Sequence, residues 1–117
     1  MTDKDDVEEF LNEFQTLANV FGILVINREK NTKALTDLGI SPHIRKEIIM
    51  DLKVDNYFRG PSKDKSRSQF IVWEFGANLD DGREVYIKLS CRREKNKLIC
   101  LSFHTPEHII NYPFRSK

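Results

Sequence analysis

Three runs in the second half of the chain alternate apolar with polar residues: Ser68–Phe75, Glu84–Ser90 and Lys97–Phe103. Successive side chains of a strand leave on opposite faces. Ile71, Trp73 and Phe75 are therefore expected to share a core face with Val85, Ile87, Leu89, Ile99, Leu101 and Phe103. The opposite face then collects Glu74, Tyr86, Lys88, Ser102 and His104. Keeping the apolar sets together restricts the register. One permitted pairing sets Phe75 opposite Val85 and Leu89 opposite Leu101, bringing Glu74, Tyr86 and His104 side by side. Acid, phenol, ammonium, hydroxyl and imidazole on one face suit acid–base chemistry, although a half-exposed antiparallel sheet commonly carries such a polar face anyway.

Upstream, the period changes. Residues 5–19 place Val7, Phe10, Leu11, Phe14, Leu17 and Ala18 at helical spacing. Phe21–Ile26 is a short, branched apolar run that reads as a buried strand. Asn31 is expected to cap a short helix ending at Gly39. Ser41-Pro42 predicts another, running to about Leu52 and burying Ile44, Ile48 and Ile49. His43, in its first turn, is expected to face solvent. Asp55–Ser68, with Gly60-Pro61 as a breaker, reads as a loop. Asp81-Gly82 predicts a hairpin turn, and Glu94-Lys95-Asn96 a tighter one. Ile109, Ile110, Tyr112 and Phe114 make the tail, 105–117, apolar enough to dock. The expectation is a single α+β domain over 1–117, opening with an N-terminal helix in 1–20. Its helices cover one face of an antiparallel sheet and leave the other as an open functional face.

Composition fits one core: 117 residues, 39% hydrophobic. No apolar run approaches the ~20 residues of a membrane span. The N-terminal residues lack the apolar core of an export signal, so a cytoplasmic protein without membrane association is expected. The formal net charge of +1 hides an asymmetry. Residues 1–14 carry six acids and one base, a net −5, and the remainder carries +6. Basic residues gather at Arg59, Lys63, Lys65 and Arg67, and again at Arg92, Arg93, Lys95 and Lys97. Such clusters suit a polyanion, and also occur as ordinary solvated loops. The acidic head is expected to be a helix N-terminus complementing its dipole, rather than a local damper on the basic surface. Cys91 and Cys100 have no metal-site spacing; the register above puts them on opposite faces as reduced thiols.

Asn56-Tyr57-Phe58-Arg59-Gly60-Pro61, Val72-Trp73-Glu74-Phe75-Gly76, Glu84-Val85-Tyr86-Ile87-Lys88-Leu89 and Leu101-Ser102-Phe103-His104 together resemble the MqsR family of bacterial type II toxin–antitoxin toxins. The resemblance covers roughly residues 30–104 in order. It implies a RelE-like fold and an mRNA interferase, an endoribonuclease without metal or other cofactor, held in check by a cognate antitoxin. The family's functional positions fall on Arg59, Glu74, Tyr86 and His104. Only the tyrosine matches the namesake branch, which has lysine, glutamine and lysine at the other three.

Metal-free RNA cleavage uses the 2′-hydroxyl as nucleophile and leaves a 2′,3′-cyclic phosphate and a 5′-hydroxyl. It needs a base, a cation for the phosphorane charge and an acid for the leaving oxygen. Arg59 suits the charge. His104 suits acid or base, Glu74 base or orienter, and Tyr86 donor or shuttle. Lys63, Lys65, Arg67 and Lys88 are the expected RNA-binding cations. Alternation keeps Trp73 in the core rather than against a base. The substrate is expected to be free mRNA or mRNA on the ribosome. Two other readings stand beside this one: a non-catalytic RNA-binding module, and a protein-interaction domain using the same open face.

Overall fold

The structure, a computed structural model, describes residues 2–115. Its order is α1 (Lys4–Phe21), β1 (Leu24–Val25), α2 (Glu29–Leu38), α3 (Pro42–Met50), β2 (Tyr57–Lys63), β3 (Ile71–Asn78), β4 (Glu84–Arg92) and β5 (Lys97–His104). A 3-10 turn, Val54–Asn56, leads into β2, and another, Arg93–Lys95, joins β4 to β5. The five strands form one sheet ordered β1-β5-β4-β3-β2. It is mixed rather than antiparallel, because β1 joins β5 in parallel.

The acidic head does form a helix start. Asp3 caps α1 by accepting from the Asp6 N–H, while Asp6 accepts from the Asp3 N–H. Val7, Phe10, Leu11, Phe14 and Ala18 on α1, Ala34 and Leu38 on α2, and Ile49 on α3 bury into one cluster against the sheet. All three helices thus cover the same sheet face. Ser41 caps α3 as expected, but that helix stops at Met50 and leaves Ile44 exposed. His43 faces solvent. β1 is a half-exposed edge strand, not a buried one.

Other expectations change as well. Much of the loop foreseen over Asp55–Ser68 is strand: β2 pairs antiparallel with β3, interrupted by register shifts on either side of Arg59. Polar side chains and Gly60-Pro61 hide it, because an edge strand needs few apolar residues and tolerates proline. Gly60 itself is required there: its φ is +111°, and a Cβ would meet the Val72 carbonyl oxygen at 2.7 Å. Gly60→Ala should therefore lose about 1–3 kcal/mol, read as a lower urea midpoint; an unchanged midpoint would mean that β2 yields at this point.

Asn31 does not cap α2. It lies in the first turn after Arg28, fully buried. The β3–β4 register is displaced by two residues, so that Phe75 faces Ile87 and Glu74 faces Lys88. Tyr86 does sit opposite His104, but a bulge follows between Lys88 and Leu89. Beyond it, Leu98 and Cys100 point to the helices, whereas Ile99 and Leu101 join Phe70 and Val72 in a small cluster elsewhere. Cys91 also packs against the helix-side core, so the two free thiols share a face rather than dividing between two. Alternation assumes an uninterrupted ladder, and one extra residue inverts it.

The tail docks. Ile110 and Tyr112 approach Gly76 so closely that a Cβ there would overlap the Tyr112 hydroxyl. Tyr112 donates to Glu84 at 2.6 Å, and Phe114 stacks on Tyr57 at 5.3 Å between ring centroids. The sheet face away from the helices is therefore not bare: the tail crosses one end of it.

Candidate functional site

That crossing makes a cleft of about 420 Å³ on the face opposite the helices. Its sheet side offers Phe58, Arg59, Tyr86, Lys88, Ser102 and His104; the tail supplies Glu107 to Asn111; Arg28 and Lys30 close one end. Beneath Arg59 and Tyr86 lies Glu74, only 5% exposed. Its Oε2 accepts from Arg59 Nε at 2.7 Å, and its Oε1 accepts a very short hydrogen bond from the Tyr86 hydroxyl. Next to Tyr86 is His104, with ring centroids 5.4 Å apart.

Each contact follows from position in the sheet. Arg59 reaches Glu74 because they are cross-strand partners. Tyr86 faces Gly76, two pairs further along, and reaches diagonally back to Glu74. His104 pairs with Tyr86 on the other side. All four residues singled out for chemistry therefore converge, although Tyr86 arrives diagonally rather than directly opposite Glu74.

The electrostatics restrict what each group does. Burial, the hydrogen bond to Glu74 and that carboxylate's charge all raise the Tyr86 pKa far above the ordinary phenol value. Tyr86 therefore keeps its proton as a resting state. The hydrogen bond to Glu74 raises Arg59 further, beyond the opposing effect of its burial, so its charge is permanent. Only Arg59 Nε is engaged with Glu74, leaving the two terminal nitrogens for an oxyanion. Its guanidinium also lies 4.6 Å from the Phe58 ring centroid. His104 Nδ1 sits 2.9 Å from the Thr105 carbonyl oxygen. A carbonyl only accepts, so Nδ1 carries the proton and Nε2 is the nitrogen left to exchange one.

Lys88 is held at 2.6 Å by Asp64, which is buried. Asp64 also accepts from the Ser66 and Arg67 N–H groups, fastening the turn after β2 beside the cleft. Lys63, Lys65 and Arg67 stand exposed around this turn and do not line the cleft. No sequence pattern marks Asp64, a single acid between two lysines in a basic run. Arg28 was also missed. It donates to the Leu101 carbonyl at 3.1 Å and to the Ser102 hydroxyl at 3.3 Å, and makes no ion pair among the described residues. Among those residues no group of three or more His, Cys, Asp and Glu is placed to hold a metal ion.

Burial, the largest influence on Asp64, would raise its pKa; Lys88 and the two N–H groups together outweigh it and bring it below the ordinary 3.8. A folded value below the unfolded one adds stability that is complete above the unfolded value. It fades as pH falls through the folded one. Asp64→Asn should thus be less stable than wild type at pH 7, with the difference shrinking below about pH 4. Thermal unfolding followed from pH 7 to pH 2 checks this; a constant difference would rule out the charged pair as its source.

No protein-family model, curated protein or solved structure matches the chain.

Proposed function

We propose that this protein is the toxin of a bacterial type II toxin–antitoxin system, a RelE-like, MqsR-like endoribonuclease that cleaves mRNA and arrests translation. The observation that carries the reading is the buried Glu74 carboxylate joined to Arg59 and Tyr86, with His104 alongside, in one cleft. The order of motifs resembling that family supports it independently. So does the cationic lining, where Arg28, Lys30, Arg59 and Lys88 surround a space wide enough for a sugar–phosphate unit.

Arg59 receives the non-bridging oxygens through its terminal nitrogens. The 2′-hydroxyl gives its proton to the Tyr86 oxygen while the phenol's proton passes to Glu74 Oε1. The 2′-oxygen then bonds to phosphorus as the bond from phosphorus to the 5′-oxygen breaks. His104, protonated at Nε2, gives that proton to the departing 5′-oxygen. Glu74 ends protonated and His104 neutral, and solvent restores both. A phenol that cannot ionise by itself fits this role, because it moves a proton without holding negative charge. Lys63, Lys65, Arg67 and Lys88 guide the strand, and the antitoxin holds the enzyme inactive in the cytoplasm.

The test is purified, antitoxin-free protein with a defined mRNA in EDTA, with and without ribosomes, and the new ends mapped. Cyclic phosphate and 5′-hydroxyl ends are expected. RNA left intact in both conditions but bound in a salt-dependent manner would replace the enzyme with an RNA-binding module. Absence of binding as well would favour a protein-interaction domain.

A further inference from the structure

On the opposite side of the sheet, α1 and strands β3 and β4 enclose a second groove of about 590 Å³. Its floor is apolar. Trp73 stacks on Phe10 at 4.6 Å between ring centroids and is only partly buried, and Ile71 beside it is 49% exposed. The α1 wall is acidic, with Asp6, Glu9 and Glu13 at successive turns of one helix face. Glu13 is paired with Arg93 at 2.5 Å, which closes one end. Asp6 and Glu9 form no ion pair among the described residues. Capping explains Asp3 and Asp6 but not Glu9, which lies beyond the first turn.

We propose that this groove docks a partner protein through a segment in which lysine or arginine side chains flank apolar ones. The apolar side chains would cover Ile71 and Trp73, while the cations meet Glu9 and Asp6 on the wall. Charge selects the class of segment: an acidic one would set its own charge against Glu9 and Asp6 at the rim, and a neutral one would leave Glu9 without a cation. Trp73 and Glu74 are adjacent on β3 and therefore face opposite ways, so the groove lies across the sheet from the cleft. The inference stands whether or not the protein cleaves RNA.

Trp73 is the chain's one tryptophan, so its fluorescence reports the groove floor directly. The full chain is titrated with a twelve-residue lysine–leucine peptide and with its glutamate–leucine counterpart. Expected are a saturable blue shift with the first peptide only, and roughly tenfold weaker binding by Glu9→Lys. Ile71→Ser should also weaken it, and 0.5 M salt should weaken binding by wild type and by Ile71→Ser, which keep Glu9, more than by Glu9→Lys. Neither substitution touches the cleft, so RNA cleavage should be unchanged. Equal response to both peptides, or indifference to both substitutions, would overturn the proposal. So would a concentration-dependent shift without peptide, which would assign the groove to a second copy of the chain.

Discussion

Tyr86→Phe and His104→Ala are each expected to slow RNA cleavage by roughly 10²–10⁴-fold, the usual worth of one positioned acid or base. Tyr86→Phe is the cleaner change. It deletes the hydroxyl that donates to Glu74 and keeps the ring that lies against His104. If Tyr86 and Glu74 work as one base, Glu74→Gln should lose a similar factor. The double variant should then be no slower than the worse single one, because groups acting as a unit are not additive. Arg59→Lys should fall between these and wild type, since it keeps a charge and loses the fork. Single-turnover cleavage in EDTA, with circular dichroism to establish folding, reads all five variants. A folded His104→Ala that cleaves within about twofold of wild type would remove the imidazole from the chemistry, and multiplicative Tyr86 and Glu74 effects would separate that pair.

How much of this was legible beforehand differs by element. The periodicity of α1 and the caps at Ser41 and Gly39 are local signals, and each was realised. The alternation of β3 and β4 was equally readable and correctly turned Glu74, Tyr86 and Lys88 from the helices. What failed was non-local. Parity permits several registers, and hydrophobic matching does not distinguish Val85 from Ile87 as the partner of Phe75. The bulge in β5 has no sequence mark, because Leu98 to Phe103 are apolar on both faces apart from Ser102. β2 was missed because its pairing rests on backbone hydrogen bonds to β3 rather than on apolar side chains. The cleft itself could not be foreseen. It exists because the tail returns over Gly76, and nothing local to residues 105–115 states where they go.

The bulge that sequence concealed also locates the largest expected loss of stability. Asn31→Leu should cost roughly 3–5 kcal/mol, from several buried groups each losing a partner at about 1–3 kcal/mol. Asn31 is 1% exposed. Its amide nitrogen donates to the Ile26 and Leu101 carbonyls at 3.0 and 2.9 Å, and its oxygen accepts from the Phe103 N–H at 2.9 Å. These bonds straddle the point where β5 departs from regular pairing with β4. Arg28 still serves the Leu101 carbonyl in the variant, so the Phe103 N–H is the group most exposed to loss. Asn31→Asp is the sharper experiment, since it keeps the acceptor for Phe103 but sets a carboxylate against two carbonyls. It should be destabilised nearly as much as the leucine variant. Urea unfolding measures both, and values within about 1 kcal/mol of wild type would show that the bulge holds itself. Because Ser102 and His104 flank Phe103, a bulge held by Asn31 makes the cleft depend on α2, a helix whose own contribution to the lining is Lys30. Hydrogen exchange at the Phe103 amide should then accelerate in Asn31→Leu ahead of global unfolding, and a rate equal to the global one would place the whole sheet, rather than this corner, under the control of Asn31.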